Sequence, residues 1–216
     1  ERTQELLHVV QNLRLDQRIP AAFPVVVDSP LAINVTQVFM RHKELFNAET
    51  KALLARSAPT NNRQHVRFTR DVEESKALND DDTPMMIISA SGMCESGRIL
   101  HHLKNNVQDP KNAVVIVGFQ AANTLGRRIV ERERQLRIFG ELYTMNAERI
   151  VLNTFSGHAD HNELTAFIDN VGERCKTFVL VHGEESALES MAAYVRERRP
   201  GCRIEVPGRG DEIELR

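Results

Sequence analysis

Residues 84–103 read PMMIISASGMCESGRILHHL, and this stretch decides the fold. A short apolar run leads into a loop of small residues, and apolar positions at helical spacing follow it. Residues 112–132, NAVVIVGFQAANTLGRRIVER, repeat the same order. Strands that are solidly apolar and alternate with helices predict an α/β fold, with a mainly parallel sheet covered by helices on both faces.

The flanking sequence extends this pattern. Residues 23–32, FPVVVDSPLA, predict a strand that ends at Asp28 and a helix capped by Ser29. Thr124 is the predicted cap of the helix within residues 112–132. Residues 141–171 and 176–198 again read as strand, loop and helix, and residues 202–215 as two short strands around a Pro/Gly turn.

A shift in composition near residues 140–153 predicts two parts, 1–150 and 151–216. The chain has 216 residues, of which 41% are hydrophobic and 27% are charged, as in soluble globular proteins. A net charge of −2 excludes a global basic field, so nucleic acid would bind through a local patch. The chain opens on ERTQELLHVV without a Met, and we expect that residues precede it.

The three cysteines are odd in number and form no Cys-x-x-Cys pair, which indicates reduced thiols in a reducing compartment. No apolar run approaches the length of a membrane span. We therefore expect a cytoplasmic protein that does not contact membranes.

Ligands in open α/β sheets bind beyond the carboxyl ends of the strands. The residues at the predicted strand ends are small or polar, and three of these ends carry a His or Asp. They are Asp28-Ser29, Ser89-Ala90-Ser91-Gly92, Gly118-Phe119-Gln120, Ser156-Gly157-His158 and His182-Gly183-Glu184. Their positions predict one functional rim along this edge of the sheet.

Residues 154–164, TFSGHADHNEL, contain a His-x-Asp-His run, the tail of a zinc-hydrolase signature, but Ser156 stands where that signature has His. A helix that starts near Gly157 would put Asp160 in its first turn, where an acidic residue is favoured by the helix dipole alone. His158 lies in the preceding loop and suits a general acid or an oxyanion stabiliser better than a metal ligand. His182 ends an apolar run, where it suits either a metal ligand or a histidine at the core edge.

Two helix starts carry arginines that could contact phosphate. Arg98 follows a Gly/Ser loop that would cradle an anion, and Arg127 and Arg128 follow Thr124. A solvated charged face is the equal alternative for the second pair. The residues predicted to contact substrate are Asp28, Ser29, Ser89, Ser91, Gly92, Arg98, Gln120, Thr124 and Arg127.

Five segments together carry a family resemblance. They are VVVDSPLA (25–32), MMIISASGMCESGRILHHL (85–103), VIVGFQAANTLGRRI (115–129), FSGHADHNEL (155–164) and FVLVHGEESALE (178–189). In this order and spacing they closely resemble the RNA-processing branch of the β-CASP nucleases, which have a metallo-β-lactamase fold. The likeness implies a β-CASP domain followed by the C-terminal part of the hydrolase domain.

The resemblance also implies roles. His158 matches the family's motif B histidine, a general acid or phosphate stabiliser, and His182 matches the motif C histidine, a zinc ligand. It implies a parent enzyme that cleaves RNA, internally or from an end, with two zinc ions. It also implies that the remaining metal ligands lie in an N-terminal half absent from this sequence.

The chain alone is therefore expected to be inactive and to hold no stoichiometric zinc. RNA is the expected partner, and a homodimer is a compatible assembly. The alternative is a non-catalytic α/β module that binds nucleic acid or nucleotides through the rim loops.

Overall fold

The computed structural model describes residues 2–57, 66–155, 157–172 and 174–214. The chain forms two compact units, Glu1–Ser156 and Gly157–Arg216. A domain boundary at residue 150 stays a prediction, because compact units and evolutionary domains need not coincide.

The first sheet of the larger unit has three strands, β1 Val25–Asp28, β2 Val66–Phe68 and β3 Met86–Ser89. β1 lies in the middle and pairs in parallel with both neighbours, with Asp28 opposite Ser89. Every residue of β1 is buried, as expected for a parallel strand covered on both faces. The predicted α/β arrangement is confirmed, and the carboxyl end of the central strand carries Asp28.

Two helices of the larger unit begin where the sequence predicts caps, after Ser29 and Thr124. The α-helices within its described residues are α1 Arg2–Leu15, α2 Pro30–Arg41, α3 Ala48–Ser57, α4 Val72–Ala77, α5 Ile99–Asn106 and α6 Leu125–Val130. Ser29 Oγ accepts a hydrogen bond from the backbone N–H of Ala32 at 3.3 Å, and Thr124 Oγ1 accepts one from Arg127 at 3.1 Å. Both predicted caps are confirmed. None of the helices described has the length and apolarity that crossing a bilayer requires.

A second pair of parallel strands, β4 Ala113–Val117 and β7 Glu148–Leu152, encloses a hairpin in the sequence. The hairpin consists of β5 Gln135–Ile138 and β6 Glu141–Thr144, which pair antiparallel. Residues of β5 alternate between exposed and buried, so this strand lacks the continuous apolar run that marks β1 and β4. The buried core here consists of Cys94, Leu103, Val107, Ile116, Leu125, Ile129, Leu136, Ile138, Met145 and Ala147.

The smaller unit repeats the order of helix and strand. Its elements are α7 His161–Asn170, β8 Thr177–Val179, α8 Glu185–Arg198 and β9 Arg203–Glu205. β8 and β9 pair in parallel, and Ile168, Phe178 and Val195 form the buried core. The unit therefore has the α/β character that its sequence predicts.

Two local predictions for the smaller unit are wrong. The helix expected to start near Gly157 begins at His161, because Asp160 caps it. The sequence predicts two strands over residues 202–215, and the described part, which ends at residue 214, contains the single strand β9. Pro207 cannot donate to a sheet ladder, and Gly210 has φ 93°, so the chain after β9 follows turns.

Candidate functional site

Asp28, at the carboxyl end of β1, is the centre of a buried polar network. Its side chain is 0% exposed. Oδ2 accepts hydrogen bonds from Ser75 Oγ at 2.6 Å and from His102 Nε2 at 2.7 Å. Oδ1 lies 2.6 Å from Arg98 Nη1 and also accepts from the Thr69 hydroxyl. One carboxylate thus joins the end of the central strand to β2, α4 and α5.

These contacts decide the ionisation of Asp28. Burial by itself raises the pKa of this carboxyl group, because the charged form loses its hydration. The hydrogen bonds from Ser75, Thr69, His102 and Arg98 outweigh that penalty and hold the pKa of Asp28 below its ordinary value. The carboxylate is therefore ionised at neutral pH and bonded to the protein on both oxygens.

Arg98 is similarly engaged inside the larger unit. Beyond Asp28, its Nη1 donates to the Thr69 carbonyl at 3.0 Å and its Nη2 to the Arg70 carbonyl at 2.7 Å. Its side chain is 18% exposed. The substrate contacts predicted for Asp28 and Arg98 stay predictions, but both side chains already shape the rim through protein contacts.

The loop between β3 and α5 uses many of its amides internally, although the sequence predicts an anion cradle here. Ser91 Oγ accepts from the backbone N–H groups of Glu95 and Ser96, both at 3.3 Å. The Ile99 N–H, at the first position of α5, donates to the Ala90 carbonyl at 3.2 Å. Ser89, on the strand itself, donates its hydroxyl proton to the Asp28 carbonyl at 3.1 Å. The loop is thus ordered by its own serines.

Gln120 ties this loop to the start of α6. It is 5% exposed, and its Nε2 donates to the carbonyls of Gly92, Gly118 and Phe119 at 3.1, 3.3 and 3.0 Å. A Cβ at Gly126 would lie 1.8 Å from Gln120 Oε1, so glycine is needed for this close approach. The three loops predicted to form a rim in the larger unit are therefore physically connected.

Arg127 lies at the edge of these connected loops. Its Nε lies 2.6 Å from Glu131 Oε1, one helical turn away, and its Nη1 donates to the Gln120 carbonyl at 3.4 Å. The side chain keeps 33% of its surface exposed. Arg127 is more accessible than Arg98, the other arginine predicted to contact substrate, which is only 18% exposed.

His158 and His182 lie close together in the smaller unit. Their ring centroids are 6.4 Å apart, and both residues are exposed. His182 follows β8 in the left-handed region with φ 63°, a conformation that is uncommon for a residue other than glycine. The sequence places these two histidines 24 positions apart, and the fold of the smaller unit brings their rings together. Ser156, the third rim residue predicted in this region, lies outside the described residues.

The other members of the GHADH stretch have structural roles. Asp160 Oδ1 accepts from the Glu163 N–H and Glu163 Oε2 accepts from the Asp160 N–H, both at 2.9 Å, which forms a capping box. His161 packs edge-on to Tyr194 with ring centroids 6.3 Å apart. Asp160 therefore has a structural role, as the N-cap of α7 and not, as predicted, within the first turn.

The described residues do not by themselves provide a complete zinc site. A tetrahedral zinc site needs at least three protein ligands. Within the described residues, no group of three or more His, Cys, Asp or Glu side chains could hold a metal. Zinc would therefore require ligands in addition to the His158–His182 pair.

Sequence reasoning missed the partners of Asp28. Thr69, Ser75 and His102 lie 41, 47 and 74 positions away from it. One signal was available for His102: the adjacent residues His101 and His102 lie on different faces of a helix, which indicates that one of them packs against the protein.

Two family models identify the class of protein to which this chain belongs. The family model of the Beta-Casp domain matches residues 3–129, and the model of the Zn-dependent metallo-hydrolase RNA specificity domain matches residues 142–207. The chain belongs to the Beta-Casp domain family, which confirms the resemblance found in its sequence.

Similar proteins carry related names. A ribonuclease of Thermus thermophilus is 39% identical over 198 residues, which cover 92% of this chain and 44% of the ribonuclease. An RNase J-like protein of Methanocaldococcus jannaschii is 30% identical over 194 residues, covering 90% of this chain and 43% of its own length. The transcription termination factor FttA of Pyrococcus horikoshii is 32% identical over 148 residues, covering 66% of this chain and 23% of the factor. The chain thus spans less than half of the length of these relatives.

Proposed function

We propose that this chain is the β-CASP and C-terminal part of a zinc-dependent phosphodiesterase that cleaves RNA, internally or from an end. Its Beta-Casp family membership and its similarity to proteins named ribonuclease and RNase J-like support the reaction class. The observation that carries the proposal is the pair of exposed imidazoles, His158 and His182, with ring centroids 6.4 Å apart.

In this proposal the two histidines have different tasks. His158 donates a proton to the departing oxygen of the cleaved phosphodiester, or stabilises its charge. His182 is one ligand of a zinc site whose other ligands lie outside the described residues, because those residues contain no cluster of three or more candidate ligands. In such a site zinc supplies Lewis-acid chemistry.

The loops of the larger unit hold the substrate. Gln120 and Ser91 order two of the rim loops from within, and Arg127 offers a partly exposed guanidinium at their edge. Phosphate contacts of this kind would bind RNA without regard to sequence and with a steep dependence on salt. Two zinc ions in the longer protein, a homodimer and a cytoplasmic location are further predictions from the sequence.

A paired measurement tests the two histidine roles in a polypeptide as long as the Thermus relative. His158→Ala should lower the single-turnover rate on labelled RNA by about a hundredfold to ten-thousandfold and leave zinc content unchanged. His182→Ala should lower both rate and zinc content. Loss of zinc in the first variant with full zinc in the second would reverse the assignment.

A non-catalytic α/β module that binds nucleic acid or nucleotides is the second candidate. It is favoured by the lack of a three-ligand cluster within the described residues. The isolated 216-residue chain, freed of chelators, should bind RNA without cleaving it and contain well under one zinc per chain. If the longer polypeptide also binds RNA without cleavage in zinc-containing buffer, the nuclease proposal is wrong and the binding module is supported.

A further inference from the structure

The turn between β5 and β6 carries an aromatic residue in an unfavourable backbone conformation. Phe139 and Gly140 are the two turn residues, with φ angles of 50° and 84°. A two-residue hairpin turn with positive φ at both positions favours Asn, Asp or Gly, because a Cβ is strained there. Phenylalanine at the first position is therefore costly for folding.

Phe139 is only partly buried, so burial of its ring does not fully offset the backbone strain. Phe139 is 52% exposed, and its ring contacts the His101 ring of α5 with centroids 4.7 Å apart and planes tilted by 43°. His101 is itself exposed. Leu136 and Ile138, 0% and 1% exposed, anchor the hairpin in the core, so the turn is held firmly. Backbone strain that persists at an exposed and well-anchored position indicates a functional role.

The charges around these rings suit an anionic ligand. Lys104 lies one turn of α5 beyond the histidine with 41% of its side chain exposed. Arg137 is exposed, and its Nη1 donates to the Gly140 carbonyl at 2.7 Å. Glu141, which directly follows the turn, lies 3.9 Å from the Lys104 ammonium and accepts from the Tyr143 hydroxyl at 2.5 Å. Lys104 and Arg137 thus supply two cationic side chains near the turn, and Glu141 already contacts Lys104 and Tyr143.

This surface also adjoins the rim of the larger unit. His101 precedes His102 on α5, and the ring of His102 bonds to Asp28 at the carboxyl end of the central strand. Consecutive helical residues point about 100° apart. The exposed ring of His101 is therefore on the face of α5 next to the one that supports the rim.

We propose that Phe139 and His101 form a stacking platform for a nucleobase of single-stranded RNA, with Lys104 and Arg137 next to the adjoining phosphates. The proposal rests on the proposed function, and it assigns a binding site for a base outside the histidine pair of the smaller unit. Aromatic faces stack on every base, so the platform should tolerate any sequence.

A fluorescence experiment reads the stacking directly, because the chain contains no tryptophan. Phe139→Trp introduces a single fluorophore at the platform. Single-stranded RNA should quench it, and an abasic oligonucleotide of equal length and charge should quench it much less. Phe167→Trp is the matched control, since Phe167 is 69% exposed in the smaller unit and should show no difference between the two ligands. Equal quenching of Phe139→Trp by both oligonucleotides overturns the platform.

A second variant separates binding from folding. Phe139→Gly removes the ring and also relieves the positive φ, so its unfolding temperature should equal or exceed that of the wild type. Its affinity for single-stranded RNA should fall about tenfold, while its weaker affinity for the abasic ligand should stay the same. A lower unfolding temperature with unchanged RNA affinity would show that the ring only stabilises the fold by packing. That result would overturn the proposal.

The same titrations distinguish this proposal from the proposed function. If the wild-type chain binds RNA and Phe139→Gly binds it equally well, the platform alone is wrong. If the wild-type chain binds no RNA at all, the platform and the substrate-holding role of this chain are both wrong.

Discussion

Two regions of the molecule follow β-strands and carry polar side chains, yet they differ in what those side chains can do. Asp28 is fully buried, and both of its oxygens are bonded within the larger unit. His158 and His182 are exposed and lie near each other in the smaller unit. A polar residue at a strand end can therefore shape a site from within or offer a group to a ligand, and its position in the sequence does not tell which.

Solvation is the physical reason for the difference. A carboxylate taken out of water is tolerated only when several donors replace its hydration, which is what Ser75, Thr69, His102 and Arg98 do for Asp28. An exposed imidazole keeps water around it and stays accessible to substrate or metal. The bonded carboxylate of Asp28 stabilises the fold, whereas the exposed imidazoles of His158 and His182 are available for chemistry.

Removing the buried carboxylate should have the largest effect. Asp28→Ala leaves the Arg98 guanidinium and the donors around it without their acceptor, and it should lower the free energy of unfolding by about 3–5 kcal/mol. His158→Ala, on the exposed side of the comparison, should change it by less than about 0.5 kcal/mol. Urea unfolding followed by circular dichroism measures both. If the two variants lower the free energy of unfolding equally, the claim that Asp28 stabilises the fold and His158 does not is wrong.

Acid should weaken the Asp28 network selectively. The pKa of Asp28 is lower in the folded protein than its ordinary value, so the unfolded chain binds more protons in acid. Its contribution to stability is complete above about pH 4 and is lost as the pH falls through the folded pKa. The free energy of unfolding should therefore drop more steeply below about pH 4 in wild type than in Asp28→Asn. Parallel pH profiles for the two proteins would show that Asp28 does not drive this loss.

The smallest effect is expected at the edge of the rim. Reversing the charge at Arg127 and Arg128 should weaken binding of single-stranded RNA several-fold at low salt and reduce the slope of log affinity against log salt by about two. Arg196→Glu with Arg198→Glu is the matched control, because both residues are exposed on α8 and the net charge changes equally. Fluorescence anisotropy at several salt concentrations measures this. If both double variants weaken RNA binding equally, the effect comes from net charge alone and not from a contact at Arg127 and Arg128.

Much of the fold follows from local patterns. The apolar runs at residues 25–28 and 86–89 are parallel strands, and Ser29 and Thr124 cap the helices that they were predicted to start. β5 was missed because its half-buried alternation resembles an exposed segment. The start of α7 was misplaced because Asp160 acts as the cap in place of a first-turn residue.

The sequence by itself determined the family, the α/β class and the two histidines on which the proposed chemistry depends. Only the tertiary structure decided that Asp28 is a buried hub, because its partners Thr69, Ser75 and His102 come from segments at least 41 residues away. It alone placed Phe139 against His101 in a strained turn. Local patterns record the period and the caps of each element, whereas burial and hydrogen-bond partners depend on which distant segments the folded chain brings together.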